Sequence, residues 1–159
     1  MILYVCVGLP RSGKSTYCKQ FIRFRGNHCL ISGDAVRFAL TGERYNRNAE
    51  EMVHVVKYLS IKAALLNHQN VVYDGTNTTR ESIQKIEQIV KEYGADIYFW
   101  IFNTSVSLCV QRAMQTKQDD LIPVITNMGN QIKSIKDYIK QNYPNNYGTI
   151  TNDYGVYTF

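Results

Sequence analysis

Gly8-Leu9-Pro10-Arg11-Ser12-Gly13-Lys14-Ser15, preceded by the apolar run Ile2 to Val7 and followed by Thr16 and a helix-compatible stretch to Phe24, decides how this chain is read. The spacing is glycine, four residues, then glycine-lysine-serine, the pattern of a loop that wraps a phosphate. Such a loop leaves a buried strand, turns its backbone N–H groups inward and enters a helix, and the close wrap at both ends needs residues without a Cβ. Gly8 and Gly13 fill those two places. The helix N-terminus adds partial positive charge, Lys14 has the reach for β and γ phosphates, and the Ser15 hydroxyl can ligate magnesium. Gly8 to Thr16 is therefore the expected site of a nucleoside triphosphate, ATP or another, with Mg2+.

The 159 residues have the length of one domain with a full core, and a single domain over 1–159 is expected. Apolar residues make up 45% and charged residues 19%, which excludes a disordered chain. Lysine and arginine outnumber acids 18 to 13, a net charge of +5 that favours polyanionic partners. Cys6, Cys18, Cys29 and Cys109 form no C-x-x-C pair and have no clustered histidines beside them, so buried reduced thiols are expected rather than a zinc site. No signal peptide, lipidation motif or membrane span is read in the sequence, and the expected setting is the cytosol, with no membrane partner.

Outward from the loop, strands and helices alternate. Ile2–Val7 reads as a central parallel strand, and Ser15 to Arg25, with Tyr17, Phe21, Ile22 and Phe24, as a helix stopped at Gly26. Cys29 to Ile31 reads as a second strand, and Asp34 can cap a short helix from Ala35 to about Leu40, closed by Gly42. Met52, Val53, Val56, Leu59, Ala63 and Leu66 mark an amphipathic helix between Asn48 and Asn67; His54 on it and His68 at its end read as surface or satisfied residues. Val71–Asp74 gives a third strand. Thr78-x-x-Glu81 has capping-box spacing ahead of a helix carrying Ile83, Ile86, Ile89 and Val90, ended by Gly94. Ile97–Phe102 is the fourth strand, and Thr104 or Ser105 caps the next helix. A polar break from Gln115 to Asp120 stops at Pro123, and Ile125 to Ile139 describes a last helix. Asn142 to Asp153 reads as loop, with Val156 to Phe159 as a possible edge strand. The pattern predicts a parallel sheet of four to five strands with helices on both faces.

In such sheets ligands bind beyond the carboxyl ends of the strands. The loop at Gly8, Asp34 and Asp74 each follow a strand, so they should converge there. Arg37 shares a helical face with Asp34 at i+3. Two readings of the pair stay open: a carboxylate that accepts a hydroxyl proton beside a guanidinium for a phosphate, or an N-cap with a surface partner. Asp74 is either an acid holding a water of the magnesium shell or a strand-end cap. Tyr138, Tyr143, Tyr147, Tyr154 and Tyr157 could stack a base, with burial against the sheet the other use.

Gly8 to Ser15, Asp34-x-x-Arg37, Asp74-Gly75-Thr76-Asn77 and Cys109-Val110-Gln111-Arg112 together resemble the kinase module of phage and bacterial 5′-hydroxyl polynucleotide kinases, over approximately residues 1 to 140. The resemblance implies a P-loop NTPase-type three-layer sandwich in which Lys14 and Ser15 engage the triphosphate and magnesium. It implies further that Asp34 activates the 5′-hydroxyl, Arg37 contacts the acceptor phosphate, and a lid at about 112–123 closes over ATP. Catalysis would rest on Lys14, Asp34, Arg37 and Arg112. The family places a second arginine about one turn beyond the first, where this chain has Thr116 and Lys117, so the clamp falls to Arg112, or to Lys117 as a point charge. Gly75 separates Asp74 from Thr76 and Asn77, which could line the acceptor pocket; Asp74 then joins Ser15 as a metal-side residue.

The expected function is transfer of the γ-phosphate of ATP to the 5′-hydroxyl end of DNA or RNA, with any ligase or phosphatase partner of an end-repair pathway on other chains. A kinase of a small metabolite, nucleoside or modified base is the alternative. An ATP-binding switch without acceptor chemistry is a third reading.

Overall fold

A computed structural model describes residues 1–23 and 25–151. Five strands, β1 (Ile2–Val7), β2 (His28–Ser32), β3 (Asn70–Asp74), β4 (Asp96–Phe102) and β5 (Tyr147–Ile150), form one parallel sheet in the order β2-β3-β1-β4-β5. Among the described residues six α-helices accompany them: α1 (Lys14–Arg23), α2 (Gly33–Thr41), α3 (Glu50–Leu66), α4 (Arg80–Tyr93), α5 (Val106–Gln115) and α6 (Ile122–Asn142). Short 3₁₀ turns at Arg47–Ala49 and Asp119–Leu121 precede α3 and α6. The expected α/β architecture is the observed one.

Because strand side chains alternate between faces, each strand feeds two cores. Leu3, Val5 and Val7 of β1, with Tyr73, Phe99 and Ile101, pack against Ile61, Leu65, Ile83, Ile86 and Ile139 from α3, α4 and α6. Cys6, Val72, Trp100 and Phe102 face the other way, onto Cys18 and Phe21 of α1. A third cluster joins Leu9 of the loop to Cys109, Ala113, Ile125 and Ile132. Among the described residues no helix is long and apolar enough to cross a membrane.

Several expectations change in detail. β5 forms at Tyr147–Ile150, inside the stretch read as loop, because the open edge of β4 recruits it: Phe99 N–H donates to Asn146 O at 2.8 Å and Asn103 N–H to Ile150 O at 2.9 Å. Phe24, Tyr154, Tyr157 and the segment Val156 to Phe159 lie outside the described residues. Ser32, not Asp34, caps α2, its Oγ accepting from Ala35 N–H. Thr79, not Thr78, caps α4, and Ser105 caps α5. Pro123 lies in the first turn of α6, where its missing N–H costs nothing.

The buried stripe of α3 also differs. Met52, Leu59 and Leu66 are exposed, and the inward face is Val53, Lys57, Ile61, Ala64 and Leu65. A lysine therefore occupies a position that helical periodicity assigns to the core.

Candidate active site

The loop after β1 is held from behind. Gly8 N–H donates to Thr76 O at 2.9 Å, Ser12 N–H to Leu9 O at 3.2 Å, and the Thr104 hydroxyl to Ser12 O at 3.0 Å. A Cβ on Gly8 would lie 2.8 Å from Phe102 Cβ, so only glycine lets the loop sit against β4. Gly13 has φ 95° and Arg11 φ 65°, the left-handed geometry that curls the loop back on itself. Gly8, Leu9 and Ser12 shape the loop from its buried side. Pro10, Arg11, Gly13, Lys14, Ser15 and Thr16 line a cleft of about 1290 Å³. At an α-helix N-terminus the first amides have no intrahelical acceptor, and here they belong to the start of α1 at the cleft. Arg11 Nε is buried without a hydrogen-bond partner among the described residues, a donor still to be satisfied at the loop.

Lys14 is buried, its ammonium donating to Leu9 O at 2.5 Å and Ser12 Oγ at 3.3 Å. Burial lowers its pKa, and Asp74 works in the opposite direction. Asp74 ends β3 at the level of Ser32, its partner in register on β2. Burial raises the Asp74 pKa, offset by a hydrogen bond from Ser15 and by the Lys14 charge. Ser15 Oγ and a buried carboxylate are hard oxygen donors and fit magnesium shared with phosphates and water. Cys6 and Cys18 place thiols close to the same carboxylate, with Sγ atoms 3.2 Å apart. Burial, with the neighbouring Cys18, pushes the Cys6 thiol well above its ordinary range.

Asp34 and Arg37 lie at the other end of the cleft, in the first turns of α2. With Ser32 doing the capping, the Asp34 side chain is 76% exposed and receives one hydrogen bond, from Arg37 Nη1 to Oδ1 at 2.5 Å. Arg37 is gripped from its other side by Glu50 of α3, Nε to Oε1 at 2.7 Å and Nη2 to Oε2 at 3.0 Å. This forked pair raises the Arg37 pKa and lowers that of Glu50. His54, Lys57, Tyr58 and Tyr73 continue the wall from Glu50.

Thr76 and Asn77 both line the cleft, but the Asn77 side chain is committed: its Nδ2 donates to Cys6 O at 2.8 Å, tying the turn after β3 to the end of β1. Gly75 makes that turn possible, since a Cβ there would meet Asn77 Nδ2 and Tyr73 Cζ at 3.1 Å each. Near the end of α5, Arg112 Nη1 donates to Arg11 O at 3.2 Å, which brings its guanidinium onto the phosphate loop. Lys117 is exposed, in a left-handed turn with φ 53°, and is not among the residues lining the cleft. An ion pair between Arg44 and Asp120 joins the segment after α2 to the 3₁₀ turn before α6 across the mouth. Tyr138 and Tyr143 are occupied elsewhere, their hydroxyls donating to Glu87 Oε1 at 2.8 and 2.9 Å.

Two residues at the Arg37 end of the cleft escape the sequence reading. Glu50 lies 13 positions from Arg37, beyond any helical spacing. Lys57 is hidden by the apolar residues around it, although Glu50, His54 and Lys57 recur at i, i+4 and i+7, a polar line that could have been noticed.

A phosphate loop between strand and helix, a buried acid at the neighbouring strand end and a cleft along the carboxyl edge define a P-loop domain with the kinase-like α/β fold. Residues 3–134 match the family model described as AAA domain, and the chain belongs to that family. It is similar to the L-seryl-tRNA(Sec) kinase of Methanococcus maripaludis, 27% identical over 133 residues that cover 80% of this chain and 51% of that protein. Among solved structures it resembles a chain of the Pnkp1/Rnl/Hen1 RNA repair complex, with a TM-score of 0.75 and 29% identity, over 86% of this chain and 45% of that one. A gluconokinase from Sinorhizobium meliloti 1021 shares the fold at a TM-score of 0.57 and 18% identity, over 93% of this chain and 81% of that one. The chain thus spans about half the length of the curated relative.

Proposed function

We propose that this domain is a kinase that transfers the γ-phosphate of ATP, or of another nucleoside triphosphate, to the 5′-hydroxyl end of a polynucleotide. One observation carries the reading: the Asp34 carboxylate is open to the cleft while Arg37, pinned by Glu50, holds it in place at the same sheet edge as the phosphate loop. Similarity to a chain of an RNA repair complex and to a kinase named for a tRNA supports an acceptor that is nucleic acid.

Phosphoryl transfer asks the protein chiefly for positioning, charge neutralisation and a proton acceptor. The loop amides, Lys14 and Arg112 hold the triphosphate. Ser15 and Asp74 are the residues that would hold magnesium, which would supply charge neutralisation at the triphosphate. Asp34 accepts the proton of the acceptor hydroxyl as its oxygen bonds to the γ-phosphorus, and the bond from that phosphorus to the bridging oxygen breaks to release the nucleoside diphosphate. Arg37 lies beside Asp34, where it contacts the acceptor phosphate. Thr76 borders the acceptor pocket, whereas Asn77 acts by fixing the turn. Residues 112–123, from the end of α5 to the start of α6, form the lid, with Arg112 as clamp and Lys117 at its outer surface. Ligase or phosphatase activities of a repair pathway would be supplied by partners.

The test is incubation of purified protein with magnesium and γ-labelled ATP, offering 5′-hydroxyl DNA and RNA oligonucleotides alongside nucleosides and small polyols. Labelled oligonucleotide is expected, and Asp34→Ala should lower transfer by about 10²- to 10⁴-fold while nucleotide binding persists. Unlabelled oligonucleotides with labelled small acceptors would overturn the polynucleotide reading. ATP hydrolysis with no acceptor labelled, and equal in Asp34→Ala, would overturn kinase action altogether.

A further inference from the structure

Beneath the phosphate loop the fold gathers three side chains that the sequence keeps apart. Cys6 lies on β1 just before the loop, Cys18 on α1 one turn beyond Lys14 and Ser15, and Asp74 at the end of β3. The two Sγ atoms and a carboxylate oxygen all lie within 4.8 Å of one another, the sulfurs 3.2 Å apart, and all three residues are buried. Phe21, Val72, Trp100 and Phe102 pack around the thiols and close that side to water. Asp74 and Ser15 line the cleft, so the carboxylate reaches the cleft and the thiols lie behind it. Because the trio is shared among two strands and a helix, no cysteine spacing along the chain reveals it.

Two sulfurs and a carboxylate oxygen at this spacing are a donor set for a soft, tetrahedral cation. Zinc bonds thiolate sulfur at about 2.3 Å and carboxylate oxygen at about 2.0–2.2 Å, so bonded donors stand roughly 3.5–3.8 Å apart, and parting the sulfurs by about 0.5 Å admits the ion. Ser15, which hydrogen-bonds Asp74, or a water from the cleft is available as the fourth ligand. Exchanging two thiol protons for one dication leaves the charge of the site unchanged, so no unpaired charge is buried. The burial that opposes a free thiolate at Cys6 is offset once the sulfur is bonded to the ion. Magnesium does not compete for the sulfurs, since a hard ion keeps to hydroxyl, carboxylate, phosphate and water oxygens. Both ions, however, need Asp74.

We propose that Cys6, Cys18 and Asp74 form a binding site for a thiophilic divalent cation of the zinc class, and that its occupation excludes nucleotide with magnesium from the phosphate loop. The inference goes beyond the kinase reading and needs nothing of the acceptor. With Asp74 bonded to the deeper ion, its carboxylate is withdrawn from Ser15 and Lys14, the two side chains through which the loop engages magnesium and the triphosphate. Linkage is reciprocal, so nucleotide with magnesium weakens the thiophilic ion by the same factor.

Co2+ is the probe, because thiolate ligands give it an intense charge-transfer absorption that oxygen ligands do not. Titrated into reduced, metal-free protein it should bind as one ion per chain with that absorption, and Zn2+ should displace it. X-ray absorption of the Zn2+-loaded parent should show sulfur and oxygen neighbours together, a reading that needs no variant. The cobalt band should vanish in Cys6→Ala and in Cys18→Ala, each checked for folding by circular dichroism, and persist in Cys29→Ser, whose thiol hydrogen-bonds Gln69 instead. Saturating ADP, with magnesium in large excess so that the nucleotide does not chelate the probe, should weaken Co2+ binding by about tenfold or more. No charge-transfer band in the parent, zinc with oxygen or nitrogen neighbours alone, or a band that survives the loss of either cysteine would overturn the site. Thiolate-bound cobalt whose affinity ADP and magnesium leave unchanged would overturn the exclusion of nucleotide.

Discussion

Replacing Lys57 by methionine should make the protein more stable in the absence of substrate. The Lys57 ammonium is desolvated, with Arg37 and Lys85 adding repulsion that Glu50 only partly offsets, and its pKa falls from 10.5 to about 8. Facing it are Arg37 from α2, Glu50 and His54 from α3, Lys85 from α4, and the Tyr58 and Tyr73 rings. In the unfolded chain the proton binds with the ordinary affinity, so folding weakens it. The cost is fully present below pH 8, fades as pH rises through the interval from 8 to 10.5, and vanishes above it, because in that interval the unfolded state binds more protons. At about 1.4 kcal/mol per pKa unit the ceiling is roughly 3 kcal/mol. Water reaching the ammonium from the open cleft screens it, and about 1.5 kcal/mol is a realistic expectation. Methionine keeps the chain length and the apolar contacts, adding at most an offset that does not depend on pH. Urea unfolding of both proteins between pH 7 and 10.5 is the assay. The difference in ΔG should favour Lys57→Met at pH 7 and shrink steadily above pH 8. A pH-independent difference, or a parent protein more stable than the variant at pH 7, would refute the reasoning and mean that the ammonium has a partner in solution.

Three further outcomes are expected. Gly8→Ala should lose about 1–3 kcal/mol of stability, since its Cβ would press on Phe102 Cβ at 2.8 Å, and nucleotide affinity should drop with it; unchanged urea midpoint and ADP titration would disprove the contact. Glu50→Gln should weaken the grip on Arg37, lowering kcat/KM for an oligonucleotide about tenfold with little change in the KM for ATP, as steady-state kinetics will show. On α6, Gly129→Ala should be destabilising alone because its Cβ would lie 2.7 Å from Val106 Cγ2. In a Val106→Ala background the same change should stabilise by up to about 1 kcal/mol through helix propensity, a sign reversal that a double-mutant cycle reads directly.

Much of the fold is legible because its signals are local. A run such as Ile2–Val7 has no other use than a strand covered on both faces, and glycines at Gly42 and Gly94 close helices with φ 70° and 61°. The errors are local as well. Ser32 and Thr79 take capping roles assigned to Asp34 and Thr78, because which hydroxyl or carboxylate caps depends on where the preceding strand stops, and that is set by pairing with its neighbours. β5 could not be read from Tyr-Gly-Thr-Ile, since its cause is the unpaired edge of β4, far from it in sequence.

The sequence by itself determined the phosphate loop, the alternation that lays down a parallel sheet, and therefore the edge at which Gly8, Asp34 and Asp74 meet. Backbone geometry and hydrophobic periodicity act over a few residues, so they are written where they act. The tertiary structure alone decided that Asp34 is left open, that Glu50 locks Arg37 from another helix, that Asn77 is tied to the backbone of Cys6, and that Lys57 is turned inward. Each of these depends on which helices lie across the cleft from one another, and on the balance of charge and solvent there, which no spacing along the chain encodes.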